Sequence, residues 1–519
     1  MVCPLKSVVI VGGGAAGWLT AGLLAKKHGN GTFGIKITLL ESSDIPTIGV
    51  GEGTWPTMRH TLKKIGISEN DFLIKCNATF KQGAIFAGWV DGSDEDYYYH
   101  PFNAPVGYND IDLAAYWIKQ NAHRGESFAQ AVDYQQAIGE AGLAPKKITT
   151  PEYNIVANYA YHLDAGKLTE VLKQFCKDNL GVGQIVDTVS RVNMKEDGDI
   201  ASVTTANHGD IGADLFVDCT GFSSVLLGEA LGVPFVAKNN FLFADHALAM
   251  QVPNASEESP ILSQTMATAQ EAGWIWDIGL TNRRGTGYVY SSSHTSHDQA
   301  EQTLRNYVHK SGADANDELA VRRIRINAGH RETFWEKNCV AVGLSAGFLE
   351  PLEASALVLV EVMAGMISDR LPACREVMDI TADHFNKEIN QRWVGIVDFL
   401  KLHYVLTQRD GDEFWRDNKR RESVPDTLQH LLERWRYHPP SEQDFAGNRE
   451  LFPWLSYQFV LYGMRFETDI SLIDHTLTRT AHANKLFAEN VQTRNEALRT
   501  LPRHRELMNK VKEFGFQPL

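Results

Sequence analysis

The chain has 519 residues, 43% of them hydrophobic and 22% charged, and a formal net charge of −14. This length predicts two or more domain-sized units, and the composition excludes a disordered or fibrous chain. The acidic balance argues against nucleic-acid binding, which needs a basic surface. The longest apolar stretch, residues 356–367, is too short to span a bilayer, so we expect no membrane contact.

The six cysteines lie far apart, without the paired spacing of a metal site or a disulfide framework. The N-terminal apolar run leads directly into a glycine loop and lacks the small-residue cleavage site of a signal peptide. Together these features predict a cytoplasmic protein with reduced thiols and no bound metal.

A glycine motif marks the start of the chain. Residues 8–11 form a β-branched run typical of a buried parallel strand, residues 18–26 read as a helix, and residues 35–40 form the next strand. Between the first strand and the helix stands a GxGxxG motif, which permits a tight turn and close approach of a pyrophosphate to the helix N-terminus. The predicted phosphate contacts are Gly12, Gly14, Ala15, Ala16 and Gly17. Glu41, at the end of the second strand, is the candidate acceptor for ribose hydroxyls.

Two further glycine turns favour FAD over a nicotinamide cofactor. Asp218 and Gly221 follow a buried strand at 215–218, and Gly343 and Leu344 follow another at 339–342. Contacts this far along the chain suit a long cofactor laid across the whole sheet. We therefore predict an α/β fold of the Rossmann-like, flavoprotein monooxygenase type, with an inserted second sheet and a mainly helical C-terminal substrate region.

The pattern along the chain predicts a discontinuous FAD-binding domain of residues 1–100, 150–235 and 320–378. The remaining segments, 101–149, 236–319 and 379–519, are assigned to a substrate-binding region. Within it, strand patterns at 274–292 indicate a separate sheet, and the chain beyond 379 is almost entirely helical in pattern.

Five segments resemble, in order, the flavin-dependent tryptophan halogenases. Residues 48–54 (IGVGEGT), which include Gly51, are similar to the strap between the flavin and substrate chambers. Residues 77–81 (NATFK) resemble the segment with the catalytic lysine, and residues 100–102 (HPF) the wall of the substrate pocket. The most specific matches are WxWxI at 274–278 and FLEPLEAS at 348–355.

The sequence departs from the family's usual pattern at two places. Gly279 stands where proline commonly closes the WxWxI motif, and residues 354–356 read Ala-Ser-Ala where Ser-Thr-Gly is common. Both changes keep small or flexible residues. They bear on halide preference and coupling rather than on the fold, and we expect bromide to outperform chloride.

The resemblance implies an FAD-dependent halogenase that uses reduced FAD, oxygen and chloride or bromide. Hypohalous acid would pass through a tunnel to Lys81 and halogenate an electron-rich aromatic ring of the indole or tryptophan type. Glu353 would orient the electrophile and accept the proton lost from the ring. The backbone amides of Ser355 and Ala356 would bind the halide ion.

The resemblance also implies the walls of two chambers. His100, Phe102 and Trp454 would stack against the substrate, and Trp274 and Trp276 would separate it from the flavin. No acidic and basic pair suited to an amino-acid headgroup is apparent, so we expect free indole to react at least as well as tryptophan. Because the chain lacks a nicotinamide domain, a separate flavin reductase is the expected transient partner of a monomer or homodimer.

Plainer interpretations of the same residues stay open. Lysines on strands usually lie at solvated edges, serines at helix starts usually cap, and tryptophans two residues apart are usually core. At the level of function, the alternatives are a single-component FAD-dependent aromatic monooxygenase and a non-catalytic FAD-binding redox-sensing protein.

Overall fold

The computed structural model describes residues 4–29, 34–44, 51–121, 125–312, 319–445 and 450–518. Residues 48–50 of the predicted strap lie outside these ranges. The strands are β1 Ser7–Val11, β2 Lys36–Glu41, β3 Gly51–Gly53, β4 Thr79–Lys81, β5 Gly83–Ala87, β6 Tyr97–Pro101, β7 Ala160–Asp164, β8 Gly183–Val186, β9 Val189–Met194, β10 Ile200–Thr205, β11 Gly209–Ile211, β12 Leu215–Asp218, β13 Phe235–Ala237, β14 His246–Pro253, β15 Thr265–Gln270, β16 Gly273–Gly279, β17 Arg283–Tyr290, β18 Val321–Arg325, β19 Gly329–Arg331, β20 Trp335–Glu336, β21 Cys339–Ala341 and β22 Gly347–Phe348.

The α-helices are α1 Ala15–His28, α2 Thr57–Ile65, α3 Glu69–Lys75, α4 Ala114–Asn121, α5 Phe128–Val132, α6 Gln135–Glu140, α7 Ala165–Leu180, α8 His297–Lys310, α9 Ser355–Asp369, α10 Met378–Val405, α11 Glu413–Asn418, α12 Asp426–Trp435, α13 Trp454–Gly463, α14 Thr480–Thr500 and α15 His504–Phe514. Among the described residues, no helix combines the length and the apolar character needed to cross a membrane.

The chain groups into two compact units. The first comprises residues 1–78, 163–238 and 327–393, and the second residues 79–162, 239–326 and 394–519. Residues 79–100, 150–162 and 320–326, which the sequence assigned to the cofactor domain, group with the second unit, and residues 236–238 and 379–393 group with the first. The reason is pairing: β5 and β6 belong to the large sheet of that unit, and β4 pairs with the first three residues of β7.

The first unit is built on a six-stranded sheet with the order β20-β21-β12-β1-β2-β8. β1 runs parallel to both β2 and β12, and β12 runs parallel to β21. The β-branched run of β1 is buried on both faces, as such a strand must be in the middle of a parallel sheet. The predicted Rossmann-like α/β fold is confirmed.

The second unit contains a seven-stranded sheet with the order β18-β14-β17-β16-β15-β5-β6. Its core packs one face of the sheet against α8, through residues that include Ile275, Tyr288 and Leu304. The separate sheet predicted around residues 274–292 is therefore present as β16 and β17, with β14 and β15 beside them.

The segment around Lys81 forms two strands. Residues 79–86 alternate between two faces as a single strand would, but the chain breaks at Gln82 into β4 and β5, which pair with different partners. The amide of Gln82 donates to the carbonyl of Ser263 (2.6 Å). Gly83 follows with φ +144°, where a side chain would meet the carbonyl oxygen of His100 at 2.4 Å.

A buried carboxyl joins α2 to α9 within the first unit. The carboxyl of Glu361, 6% exposed, accepts hydrogen bonds from the hydroxyls of Thr57 (3.1 Å) and Thr61 (2.5 Å). Burial raises its pKa from 4.5 to about 7. The folded chain therefore holds a proton that the unfolded chain releases between about pH 4.5 and 7, and stability is lost as the pH rises through this window.

We predict that Glu361→Gln removes this loss, because a neutral amide of the same shape has no charge to bury. The gain in the free energy of unfolding should reach about 3 kcal/mol at pH 8 and vanish near pH 4.5. Thermal unfolding midpoints at both pH values measure it, with the exposed Glu196→Gln as control. Equal shifts of the Glu361 variant at the two pH values would contradict the assignment.

Candidate functional site

The glycines of the loop after β1 have different structural roles. Gly12 has φ +121°, and a side chain there would meet the carbonyl oxygen of Cys219 at 2.0 Å. A side chain on Gly17 would meet the carbonyl oxygen of Gly12 at 1.9 Å, so helix and loop pack in direct contact. A Cβ on Gly14 would have nothing within 4 Å. The first and last glycines are thus required by packing, whereas Gly14 borders open space.

The helix that follows begins without a capping side chain. Gly14 is the N-cap of α1, none of the described side chains caps it, and the first helical hydrogen bond runs from the amide of Trp18 to the Gly14 carbonyl (3.1 Å). The amides of the first turn, at Ala15, Ala16 and Gly17, therefore have no capping side chain among the described residues. Such a helix start suits an anion, and a pyrophosphate fits it in both charge and room.

Glu41 lies directly against this loop. Its carboxylate accepts hydrogen bonds from the indole of Trp18 (3.3 Å), the ammonium of Lys173 (2.5 Å) and the amide of Gln184. A side chain on Gly13 would meet the Glu41 carboxylate at 1.9 Å. Gly13, which the motif itself leaves unspecified, is thus needed to admit Glu41, and three neighbours hold that carboxylate beside the loop.

The two later glycine turns meet the first. Gly343 has φ +79°, and a side chain there would stand 2.8 Å from the Cβ of Ala16, so this turn reaches the start of α1. Leu344 follows it, half-buried. Gly221 has φ +70° and, like Gly14, borders open space. The structure therefore brings the three predicted flavin segments of the first unit together.

The sequence places Asp218 among the cofactor contacts, but its carboxylate bonds to groups of the protein itself. Its buried carboxylate accepts hydrogen bonds from the hydroxyl of Thr220 (2.6 Å) and the amides of Leu226 (2.9 Å) and Leu227 (2.8 Å). Its carbonyl accepts from the amide of Val342 (2.9 Å). Asp218 thus braces the turn that contains Gly221 and joins it to the strand end before Gly343.

The start of α9 is strained. Glu353 and Ala354 have φ values of +63° and +53°, so two consecutive residues with side chains adopt the left-handed conformation. Such conformations cost free energy and concentrate at functional sites. The indole N–H of Trp55 donates to the carbonyl of Glu353 (2.7 Å) and holds the pair in place. Trp55 belongs to the segment that follows Gly51, and the sequence offered no signal for this contact.

Ser355 does not cap the helix that it begins. The N-cap of α9 is Ala354, and no described side chain accepts from the first-turn amides of α9. The plainer interpretation of Ser355 as an ordinary cap therefore fails here. The amides of Ser355 and Ala356 belong to a second helix start whose partial positive charge suits an anion.

α1 and α9 run parallel, so these two helix starts lie at the same end of the first unit. Near their C-terminal ends, the ammonium of Lys27 lies 2.8 Å from the carboxylate of Asp369, and the hydroxyl of Ser368 donates to the carbonyl of Leu23 (3.2 Å). Aligned neighbouring dipoles repel each other, and anions bound at their N-termini relieve that repulsion.

In the second unit, Lys81 is buried. It ends β4, is 2% exposed, and places its ammonium 5.2 Å from the ring centre of Phe102. The interpretation of Lys81 as a solvated edge lysine therefore fails. His100 makes a hydrogen bond of 3.0 Å to the hydroxyl of Ser456, in the first turn of α13, which begins at Trp454. Lys81 and the three predicted substrate residues thus lie on connected elements of one unit.

The two tryptophans of the WxWxI motif share a face of β16. Trp276 lies over Gly287 of β17, where a side chain would meet its ring at 2.0 Å. Trp274 is 2% exposed, and its indole N–H has no hydrogen-bond partner in the described part of the chain. A tryptophan that serves only the core normally pairs this group, so the observation favours a functional wall.

A buried group of acids and a phenol went unnoticed in the sequence. At one turn of α10, the Tyr457 hydroxyl donates to the Gly395 carbonyl (3.2 Å), and a side chain on Gly395 would meet the carboxylate of Glu450 at 1.9 Å. Burial, and then the charge of Glu450, raises the pKa of the adjacent Asp398 to about 7. Glu450 lies four residues before Trp454. Asp398, Glu450 and Tyr457 thus form one buried polar cluster in the second unit.

The model of the family described as tryptophan halogenase matches residues 7–476. The chain belongs to the tryptophan halogenase family. A tryptophan 6-halogenase from Streptomyces toxytricini is 37% identical over 475 residues, which cover 88% of each chain. The crystal structure of a tryptophan halogenase from Shewanella frigidimarina is 48% identical, covers 99% of both chains and superimposes with a TM-score of 0.96.

Another solved structure, a flavin-dependent halogenase from Brevundimonas, is 32% identical and has a TM-score of 0.85 over 98% of this chain and 99% of that one. Membership in the tryptophan halogenase family confirms the resemblance found in the sequence. It also implies FAD and a halide.

We predict that Gly14→Val weakens FAD binding roughly 100-fold or more while the protein still folds. The new side chain would occupy the open space beside the helix start and displace a pyrophosphate, whose charge-assisted hydrogen bonds are worth about 1.5–3 kcal/mol each. Titration of FAD into the purified protein measures the affinity.

The matched variant Gly17→Val should instead fail to fold, because its side chain has no room beside the Gly12 carbonyl. Undiminished FAD affinity in Gly14→Val, with an unchanged unfolding midpoint, would show that the loop is only a turn.

Proposed function

We propose that this protein is a two-component flavin-dependent halogenase that acts on the indole ring of tryptophan or a close relative. It would consume reduced FAD, oxygen and chloride or bromide. The observation that carries the proposal is Lys81, a lysine that the fold buries to 2% exposure with its ammonium over the ring of Phe102. Burying an ammonium is costly, and titratable groups that the fold buries in this way cluster at functional sites.

The residues of the first unit would hold the FAD cofactor and the halide. The first-turn amides of α1 bind the pyrophosphate of FAD, with Glu41 on the ribose and Gly221 and Gly343 leaving room for the cofactor. The amides of Ser355 and Ala356 bind halide. When bound, reduced FAD supplies the electrons with which oxygen and halide yield hypohalous acid.

The residues of the second unit would use that oxidant. Lys81 holds the electrophilic halogen by hydrogen bonding or as a haloamine, and Phe102, His100 and Trp454 stack against the aromatic ring. The first unit would contribute Glu353, which accepts the proton that leaves the ring carbon and so restores aromaticity. Trp274 and Trp276 form the wall that keeps flavin chemistry away from the substrate and excludes competing nucleophiles.

Tryptophan is the proposed substrate class. The relatives from Streptomyces toxytricini and Shewanella frigidimarina are named as tryptophan halogenases. In this chain, the buried carboxyls of Asp398 and Glu450 offer acceptors for the ammonium of an amino acid, and an ammonium bound there would lower the raised pKa of Asp398. This carboxyl pair removes the reason for expecting indole to react as well as tryptophan.

The proposed partner is a separate flavin reductase, met transiently by a monomer or homodimer in the cytoplasm. The five described cysteines are unpaired and buried, as is common in a reducing compartment. The described sheets account for one dinucleotide-binding loop, and the chain has no second glycine motif of the same kind for a nicotinamide.

An assay with and without reductase tests the proposal. With NADH and FAD alone, the protein should barely oxidise NADH. Adding a flavin reductase and bromide or chloride should yield a halogenated indole ring, detected by mass spectrometry. Rapid unassisted NADH oxidation with a hydroxylated product would instead identify a single-component monooxygenase. FAD binding without any turnover would identify a redox-sensing protein.

We predict that Asp398→Asn raises KM for tryptophan roughly 10- to 100-fold, because it removes a charge-assisted hydrogen bond to the ammonium. Indole has no ammonium, so KM for indole should stay within about twofold. The Thr427 hydroxyl, which donates to Asp398 (2.9 Å), can donate equally to the amide oxygen. Equal effects on both substrates would place the carboxyl outside the headgroup site.

A further inference from the structure

The short strand β4 has one edge in the sheet pairing and one edge turned away from it. Thr79, Phe80 and Lys81 pair with residues 160–162 of β7 on one side. On the other side, the amide of Phe80 donates to the Nε2 atom of His504 (3.1 Å), the first residue of α15. The residue immediately before Lys81 is therefore tied to the C-terminal helix.

The protonation of His504 follows from its two partners. Nε2 accepts a hydrogen bond, so it carries no proton, and Nδ1 donates to the carbonyl of Ile261 (3.2 Å). His504 is 1% exposed, and burial lowers its pKa from 6.5 to about 3. The ring is thus neutral throughout the working pH range, with a fixed tautomer that lets it accept from Phe80.

The residues on either side of Phe80 and Lys81 are held by other hydrogen bonds, whereas the side chain that holds the Phe80 amide is His504. The hydroxyl of Thr79 donates to the carbonyl of Gly279 (2.5 Å), and the amide of Gln82 donates to the carbonyl of Ser263 (2.6 Å). The ring of Phe80 is buried on the side opposite Lys81, with its centre 4.9 Å from that of Tyr159. Without His504, the Phe80 amide would be a buried donor without a partner, which costs about 1–3 kcal/mol.

We propose that His504 is a positioning residue for Lys81: it fixes the backbone of β4 so that the lysine ammonium stays over Phe102. The inference rests on the proposed function of Lys81. It follows that the rate of FAD oxidation and the rate of halogenation should respond differently to a change at His504. Loosening β4 should leave reduced FAD reacting with oxygen as before, while less of the oxidant reaches the substrate ring.

Two variants of similar polarity separate this role from a general structural one. The terminal amide of glutamine reaches the place of Nε2, so His504→Gln keeps an acceptor for the Phe80 amide. Asparagine reaches only the place of Nδ1, so His504→Asn keeps the bond to Ile261 and loses the bond to Phe80. A structural role would make the shorter and the longer amide fail to similar degrees.

The first measurement is the amount of halogenated product per reduced FAD oxidised, with reductase, bromide and tryptophan. His504→Asn should lower this ratio roughly 10- to 100-fold, the effect expected of a misplaced reacting group, with the rate of FAD oxidation unchanged. His504→Gln should stay within about threefold of the parent. Equal ratios in the two variants would overturn the proposal.

The second measurement needs no turnover. Hydrogen–deuterium exchange of the cofactor-free protein reports the Phe80 amide, which should be protected in the parent and in His504→Gln and exchange faster in His504→Asn. Protection in both variants would overturn the assignment. If Lys81→Ala alone halogenates at the parental rate, the proposed function fails, yet the exchange result still decides whether His504 holds β4.

Discussion

Two parallel helices that begin without capping side chains set the chemistry of the first unit. α1 starts at a glycine loop that leaves open space beside Gly14, and α9 starts at the left-handed pair Glu353 and Ala354. Each start leaves backbone amides and the positive end of a helix dipole unused by the protein. An anion at either start offsets this cost, and the two starts lie at one end of the unit.

Much of the surrounding sequence serves to keep these helix starts open. Gly17 lets α1 press against the loop, Gly13 makes room for the carboxylate of Glu41, and Gly343 lets a later turn reach Ala16. Asp218 fixes the turn between them through backbone amides. At α9, Trp55 holds the strained carbonyl of Glu353. The two helix starts are thus locally destabilising, and contacts from neighbouring residues offset this cost.

The features that could be predicted from the sequence are local ones. A strand, a GxGxxG loop and a helix follow one another within the first 28 residues, and each imposes its own periodicity, so their order was readable. The break at Gln82 could not be predicted, because it depends on a hydrogen bond to Ser263 and the alternation of residues continues across it. The left-handed pair at Glu353 and Ala354 was equally hidden, since neither residue type signals positive φ.

The second unit shows the same limit in its candidate site. Lys81, Phe102 and the WxWxI motif were found through their resemblance to a family, whereas composition alone made Lys81 an ordinary edge lysine. Asp398 and Glu450 are 52 positions apart, and only the packing of α10 shows that they share a neighbourhood. Long-range proximity between acids has no periodic signature that a single sequence could reveal.

The central claim is that the oxidant is made in one place and used at Lys81. A single-turnover experiment tests it directly. The Lys81→Ala variant is mixed with photochemically reduced FAD, oxygen, bromide and tryptophan, and the variant of an exposed lysine, Lys485→Ala, is the control. Flavin absorbance follows FAD oxidation, and mass spectrometry follows the product. The account predicts normal FAD oxidation and no halogenated product for Lys81→Ala. Halogenation by Lys81→Ala at the parental rate would contradict it.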